Sequence, residues 1–277
     1  MIELPTLSFL PLDRLLIHER HDDQRALPLI RRIRSSGVFR NPPVVAPLND
    51  GSDRYMVLDG ANRVTALSQM GCPHVLAQVV QPDDAGLTLY NWNHVVWEMN
   101  ALRFFLGVAR ISQMQLVFEK DMHVDASLDK ECRLAFIQDC RGRKFSVCTQ
   151  ADSLEERVGI LNAIVDSYSD KARLDRTNTR DIRLLNNIYP YLCGLVIFPT
   201  FQIADLLCLA GKGSLLPAGI TRFTVAPRAL HINYPLEELT GDKPLAEKNE
   251  TLRKWIHERI ALKQIRYYSE PTFLFDE

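Results

Sequence analysis

The sequence predicts an α+β protein of two domains, and three observations carry that expectation. Strand-like and helix-like stretches alternate through the first third of the chain without an internal repeat. A polar, turn-forming segment, QPDDAG at 81–86, then interrupts the pattern before it restarts. The chain has 277 residues, 46% of them apolar and 24% charged, which is enough to build two ordinary cores. The expected units are residues 1–85 and residues 86–277, the second also mixing helices and strands.

The opening stretch MIELPTLSFLPLDRLLIHER is apolar in places but broken by Glu3, Pro5, Pro11 and Asp13. It reads as strand, and neither as a signal peptide nor as a membrane span. DDQRALPLIRRIRSSG then predicts a helix with Leu27, Ile30 and Ile33 on one stripe; Pro28 is tolerable only near the first turn, and Gly37 is the stop. PPVVAP and RYMVLDG are strand signals joined by LNDGSD, whose Asn, Asp and Gly suit a hairpin connection. GANRVTALSQMG is a helix ending at Gly71, and HVLAQVV is a strand. Beyond the boundary, LDKECRLAFIQDCRG and SLEERVGILNAIVDSYSD read as amphipathic helices, GLVIFP as a buried strand and FQIADLLCLAG as a helix. A proline-punctuated stretch, LLPAGITRFTVAPRALHINYPL, precedes NETLRKWIHERIALKQIRYY, a helix expected to dock through Leu252, Trp255 and Ile256.

Composition narrows the function classes. The net charge is −1, so the broad basic field common in nucleic-acid binders is absent. Residues 1–100 hold nine arginines, no lysine and eleven acidic residues. An anion handled there must be held by arginine, backbone N–H groups or a metal. The six cysteines form no C-x-x-C pair, which fits a reducing, cytoplasmic setting. The histidines show no metal-binding spacing, and GKGS at 211–214 lacks the preceding glycine of a Walker motif. Arg31, Arg32 and Arg34 read as the solvated face of an amphipathic helix.

Two short stretches carry chemistry. In VLDGANRVTAL, residues 57–67, a strand runs through Asp59 and Gly60 into a helix that carries Arg63 one turn later. A helix start offers unpaired N–H groups and partial positive charge, and an arginine there reaches the same anion. Three readings remain open for this turn: solvated charges, a groove for nucleic-acid backbone, or a cradle for a small phosphate compound. In LLIHERHDD, Glu19 ends an apolar strand, where functional side chains project; at such a loop edge its removal is expected to spare the fold.

The layout IHERHDDQR, LPLIRRIRSSGVFRNPPVVAP, YMVLDGANRVTAL resembles the ParB/sulfiredoxin-like fold, whose members include nucleotide-binding partition proteins, sulfiredoxins and free L-serine kinases. Sulfiredoxins place a cysteine in this turn, where the present chain has Ala61 and Asn62. Partition proteins carry an arginine-rich turn and continue into a helix-turn-helix domain. The chain is more similar to the free serine kinases. Their Asp-Gly-His-His-Arg turn matches Asp59, Gly60 and Arg63, their acidic residue in the first strand-helix loop matches Glu19, and their Thr-Arg-His-x-x-x-Pro-x-Arg stretch resembles TRFTVAPR, Thr221 to Arg228. The last region is especially like members from siderophore-biosynthesis clusters. Ala61, Asn62 and Phe223 stand where the family has histidines.

The resemblance implies phosphoryl transfer from ATP or ADP to free L-serine, giving O-phospho-L-serine. Glu19 and Asp59 are then the catalytic carboxylates, Asp59 also being the candidate Mg²⁺ ligand, while Gly60, Ala61, Asn62 and Arg63 hold the nucleotide phosphates. Trp92, His94, Thr221, Arg222, Arg228 and His231 are the candidate substrate-binding residues, and the nucleotide-binding domain is residues 1–85. The alternative from another class is a ParB-like DNA-binding regulator or nucleotide switch. No membrane partner is expected.

Overall fold

The structure is a computed structural model that describes residues 4–21, 26–119 and 132–268. In chain order the first unit contains β1 (Leu7–Pro11), β2 (Leu15–Ile17), α1 (Ala26–Ser36), β3 (Val38–Phe39), β4 (Val44–Pro47), β5 (Tyr55–Asp59), α2 (Ala61–Gln69) and β6 (His74–Val79). Five of its strands form a mixed sheet in the order β1-β6-β4-β5-β2. The β2–β5 and β4–β6 pairs are parallel, and β1–β6 and β4–β5 are antiparallel.

Both faces of this sheet are covered, and the two-residue period of the strands decides which side chain goes where. Val45 and Val57 pack with Phe9, with Ala26, Ile30 and Ile33 of α1, and with Val64 and Leu67 of α2. Their neighbours Val44, Ala46, Met56 and Leu58 join the larger core of the second unit. The apolar stripe of α1 begins at Ala26, and Leu27 is half exposed.

The second unit contains β7 (Leu87–Asn91), β8 (Asn93–Trp97), α3 (Ala101–Ala109), β9 (Met114–Glu119), β10 (Arg133–Asp139), β11 (Lys144–Thr149), α4 (Leu154–Asp166), β12 (Arg173–Thr177), α5 (Ile182–Ile188), β13 (Leu192–Ile197), α6 (Ile203–Gly211), β14 (Thr221–Val225), β15 (Tyr234–Pro235), α7 (Leu236–Thr240) and α8 (Leu245–Ala261). Six strands form an antiparallel sheet, β12-β8-β13-β10-β11-β9. The whole is an α+β architecture, as the sequence expects.

One expected helix is a strand. Within LDKECRLAFIQDCRG, residues 128–131 lie outside the described residues, and 133–139 form β10. All seven of its side chains are buried. A strand covered on both faces loses its polar alternation, and Leu134 and Ile137 then imitate one turn of an apolar helical stripe. The expected helix at SLEERVG is present as α4, started by a capping box between Ser153 and Glu156.

The C-terminal segment returns to the first unit. Tyr234, Leu239 and Leu252 are buried in its core, with Trp255 and Ile256 packed against them. Asn249 of α8 accepts from the Phe9 N–H at 2.8 Å and donates to the Phe9 carbonyl at 3.1 Å, tying this helix to β1. One strand pair also joins the units, β15 with β3, while β14 pairs with β7 inside the second unit.

Candidate active site

A cleft of about 1400 Å³ opens between the two units. Its walls include the end of β2, the turn from β5 into α2, strands β8 and β12, and residues 218, 219 and 221–223. Glu19, Asp59, Gly60, Ala61, Asn62, Arg63, Trp92, His94, Thr221 and Arg222 all line it.

The β5–α2 turn forms one end. Gly60 has φ +96°, in the left-handed region, and a Cβ there would sit 2.7 Å from Arg63 Nη2 and 2.9 Å from Pro43 Cβ. Only glycine meets both demands. The Gly60 carbonyl accepts from the Arg63 and Val64 N–H groups, and no side chain caps the helix. The first N–H groups of α2 therefore face the cleft without intrahelical partners. Asp59 Oδ2 accepts from Arg63 Nη2 at 2.8 Å and from Arg228 Nη2 at 2.7 Å. Arg228 also donates to the Pro42 carbonyl. Burial, opposed by Asp59 and reinforced by Arg63, pulls the Arg228 pKa below its ordinary value. Two guanidinium groups share one carboxylate, and Arg63 Nε and Arg228 Nη1 are buried with no hydrogen-bond partner among the described residues. A surplus positive charge with buried, unmet donors beside a helix start is the chemistry of an anion site.

Glu19 occupies the opposite wall and is held by the backbone of the second unit. Its Oε2 accepts from the Gly219 N–H at 2.6 Å. Its Oε1 accepts from the Ile220 N–H at 3.0 Å, the Thr221 N–H at 2.6 Å and the Thr221 hydroxyl at 2.5 Å. The chain on either side is stitched to the same loop: Leu216 N–H donates to the His18 carbonyl, and Arg20 N–H to the Leu216 carbonyl. Contrary to the loop-edge expectation, the carboxylate is a clip between the two units. Its charge is met by three aligned N–H dipoles.

The remaining candidates divide. Arg222 stacks over Trp92, with the guanidinium carbon 4.6 Å from the ring centroid, and both border the cleft. His94 is 3% exposed and sits behind the loop that holds Glu19. Its Nδ1 lies 3.1 Å from the Tyr168 hydroxyl, and it bonds the backbone at Ala218 and Gly219. Burial drives its pKa down to about 4, those backbone bonds opposing and Arg176 adding to the fall. His94 is therefore a neutral prop for the loop. Arg228 reaches the site from behind Asp59, and His231 is exposed and absent from the cleft walls. Phe223 sets its ring edge-on to His18 at 5.6 Å.

Sequence reading missed Arg176 and His18. Arg176 packs so tightly over Gly219 that a Cβ there would fall 2.1 Å from its guanidinium, and Gly219 also has φ +73°. The glycine in PAGITR was the available signal. His18 is 7% exposed and bridges the Val57 carbonyl and the Thr221 hydroxyl, both at 2.8 Å.

No family model matches the chain. Among curated proteins it is 24% identical to the ATP-dependent L-serine kinase SbnI of Staphylococcus aureus, over 98% of this chain and 97% of that one. It is 36% identical to an ATP-dependent L-serine kinase of Staphylothermus marinus over 80 residues, 29% of this chain and 31% of the relative. Among solved structures, a C-terminally truncated SbnI from Staphylococcus aureus superposes with a TM-score of 0.74 at 21% identity, covering 92% of this chain and 97% of that one. A free serine kinase in complex with AMP superposes with a TM-score of 0.68 at 16% identity, covering 86% and 95%. The chain has the fold of the free serine kinases, and its likeness to an L-serine kinase runs through both units.

Proposed function

We propose that the protein phosphorylates free L-serine, transferring the γ-phosphoryl group of ATP to the serine hydroxyl and releasing O-phospho-L-serine and ADP. One observation carries this reading: a fixed carboxylate, Glu19, faces across one cleft from an anion pocket made by the start of α2, Arg63 and Arg228. Phosphoryl transfer to an alcohol needs those two things, a proton acceptor and a positively charged cradle, held in line. The curated relatives named ATP-dependent L-serine kinases support ATP as donor over ADP.

The nucleotide phosphates rest on the N–H groups of Gly60, Ala61 and Asn62, with Arg63 and Arg228 supplying the unmet guanidinium donors. Arg222, stiffened by its stack on Trp92, binds the serine carboxylate. Glu19 takes the hydroxyl proton as the oxygen attacks. Both arginines use Asp59 Oδ2, so Oδ1 suits a Mg²⁺ ion otherwise held by phosphates and water, and such an ion supplies neutralising charge to the phosphates when bound. Among the described residues no cluster of three or more His, Cys, Asp or Glu side chains forms an all-protein metal cage, which suits a metal that arrives with the nucleotide.

Among the described residues no helix is long and apolar enough to cross a membrane, and the chemistry suits a cytoplasmic enzyme whose product feeds siderophore or amino-acid biosynthesis. The test is direct: incubate the protein with L-serine, Mg²⁺ and either ATP or ADP and follow phosphoserine by mass spectrometry. Product with ATP supports the proposal; no product with either donor overturns it.

A further inference from the structure

We infer that Glu19, Thr221 and His18 form a proton relay with one proton vacancy, which receives the proton that leaves the serine hydroxyl. The inference rests on the kinase reading above and assigns His18 a role in it, acting through Thr221 and not on the substrate.

The argument is a count of hydrogens. His18 Nδ1 lies 2.8 Å from the Val57 carbonyl oxygen. A carbonyl only accepts, so Nδ1 carries the hydrogen and the neutral ring presents Nε2 as an acceptor. Nε2 lies 2.8 Å from Thr221 Oγ1, and Oγ1 lies 2.5 Å from Glu19 Oε1. Both distances are hydrogen-bonding ones. A threonine hydroxyl owns a single hydrogen, so it can donate to His18 or to Glu19 and not to both. With a neutral His18 and an ionised Glu19, two bonds share one proton. The array is satisfied in full only after gaining another.

Burial is the largest influence on the His18 pKa and lowers it, while the Glu19 charge and the Val57 bond push the other way. The resting ring is thus neutral and the vacancy open. The Phe223 ring closes over its edge, and Glu19 is the charged group whose field acts on it.

The step balances. The serine O–H bond breaks as its oxygen bonds phosphorus, and the proton goes to the Glu19 carboxylate. Glu19 Oε1–H then donates to Thr221 Oγ1, whose own hydrogen moves to His18 Nε2. The result is an ionised Glu19, an intact threonine hydroxyl and a His18 imidazolium, with no change in electrons. Three N–H groups donate to the Glu19 carboxylate, and passing the proton onward returns it to the all-acceptor form that they meet.

Two measurements test the relay. Nitrogen-15 spectra of histidine-labelled protein near neutral pH, with His18 assigned by its loss in His18→Gln, should show the neutral Nδ1–H tautomer. An imidazolium or an Nε2–H tautomer in the resting protein would overturn the vacancy, whatever the activity. In kinetics, Thr221→Val keeps the side-chain shape and the N–H bonds to Glu19 but removes the hydroxyl. It should lower kcat about 100-fold, with the KM for serine within about threefold, and Thr221→Ser should recover most of that loss. A raised serine KM with unchanged kcat would make Thr221 a substrate contact and overturn the relay. If wild type is active and Glu19→Gln inactive while Thr221→Val matches wild type, the relay fails and the kinase reading stands. If wild type itself makes no phosphoserine, the kinase reading fails, and the spectra still report the proton count.

Discussion

At the scale of single residues, charges in this cleft are shared between distant parts of the chain. Asp59 and Arg63 are four apart, and their meeting follows from helical spacing. Arg228 is 169 residues away from Asp59, yet makes the shorter contact. Replacing Arg63 or Arg228 with glutamine removes a charge-assisted donor to phosphate, worth about 1.5–3 kcal/mol. The expected result is a 10- to 100-fold weaker Kd for ADP by calorimetry, with the serine KM little changed. Glu19→Gln acts twice. An amide nitrogen in place of one oxygen meets an N–H of 219–221 head-on, so beyond the loss of turnover the variant should lose about 1–3 kcal/mol in urea unfolding. Unchanged stability in that variant would contradict the clip. The Asp59-Gly60-Arg63 half of the site was legible from local spacing, because a strand-to-helix turn declares its own geometry. The Arg228 and Thr221 contacts were reached only by resemblance, and the His18 bridge not at all. Nothing local in LLIHER says that its histidine meets a threonine 203 positions later.

At the scale of elements, the helices that were readable have a wet face. α1, α4 and α8 alternate buried and exposed positions at helical spacing, and α4 carries its start signal in Ser153 and Glu156. β10 has no wet face, and periodicity therefore could not distinguish it from a helix. The docking residues of α8 were also legible, although where they dock was not: Leu252 is 1% exposed in a core built from residues near the opposite end of the chain. Leu252→Ala should therefore destabilise the protein by about 2–5 kcal/mol, seen as a lower Tm. The residue lies outside the cleft, so kcat measured well below that Tm should stay near wild type. A Tm shift of under a degree would mean that α8 contributes little to holding the first unit together.

At the scale of the whole molecule, a buried, neutral imidazole beneath the loop that holds Glu19 makes global stability depend on pH in a calculable direction. His94 sits on β8 beneath the loop that clips Glu19, and its pKa is about 4 when folded against 6.5 for an ordinary histidine. Between those values the unfolded chain binds a proton that the folded one refuses, so unfolding is favoured as pH falls. The His94 contribution is complete above about pH 6.5 and is lost progressively down to about pH 4. At 1.36 kcal/mol per pH unit the loss is on the order of 3 kcal/mol. His18, lowered by burial as well, pulls in the same direction. Asp50, whose pKa is about 2 because Ser52 bonds its carboxylate, titrates below this window and on the surface. Urea unfolding free energies measured from pH 7.5 to 4 should therefore be flat at first and then fall with a slope that His94→Asn flattens. If wild type and His94→Asn lose stability in parallel over that range, the buried histidine is not what couples the fold of the cleft to pH.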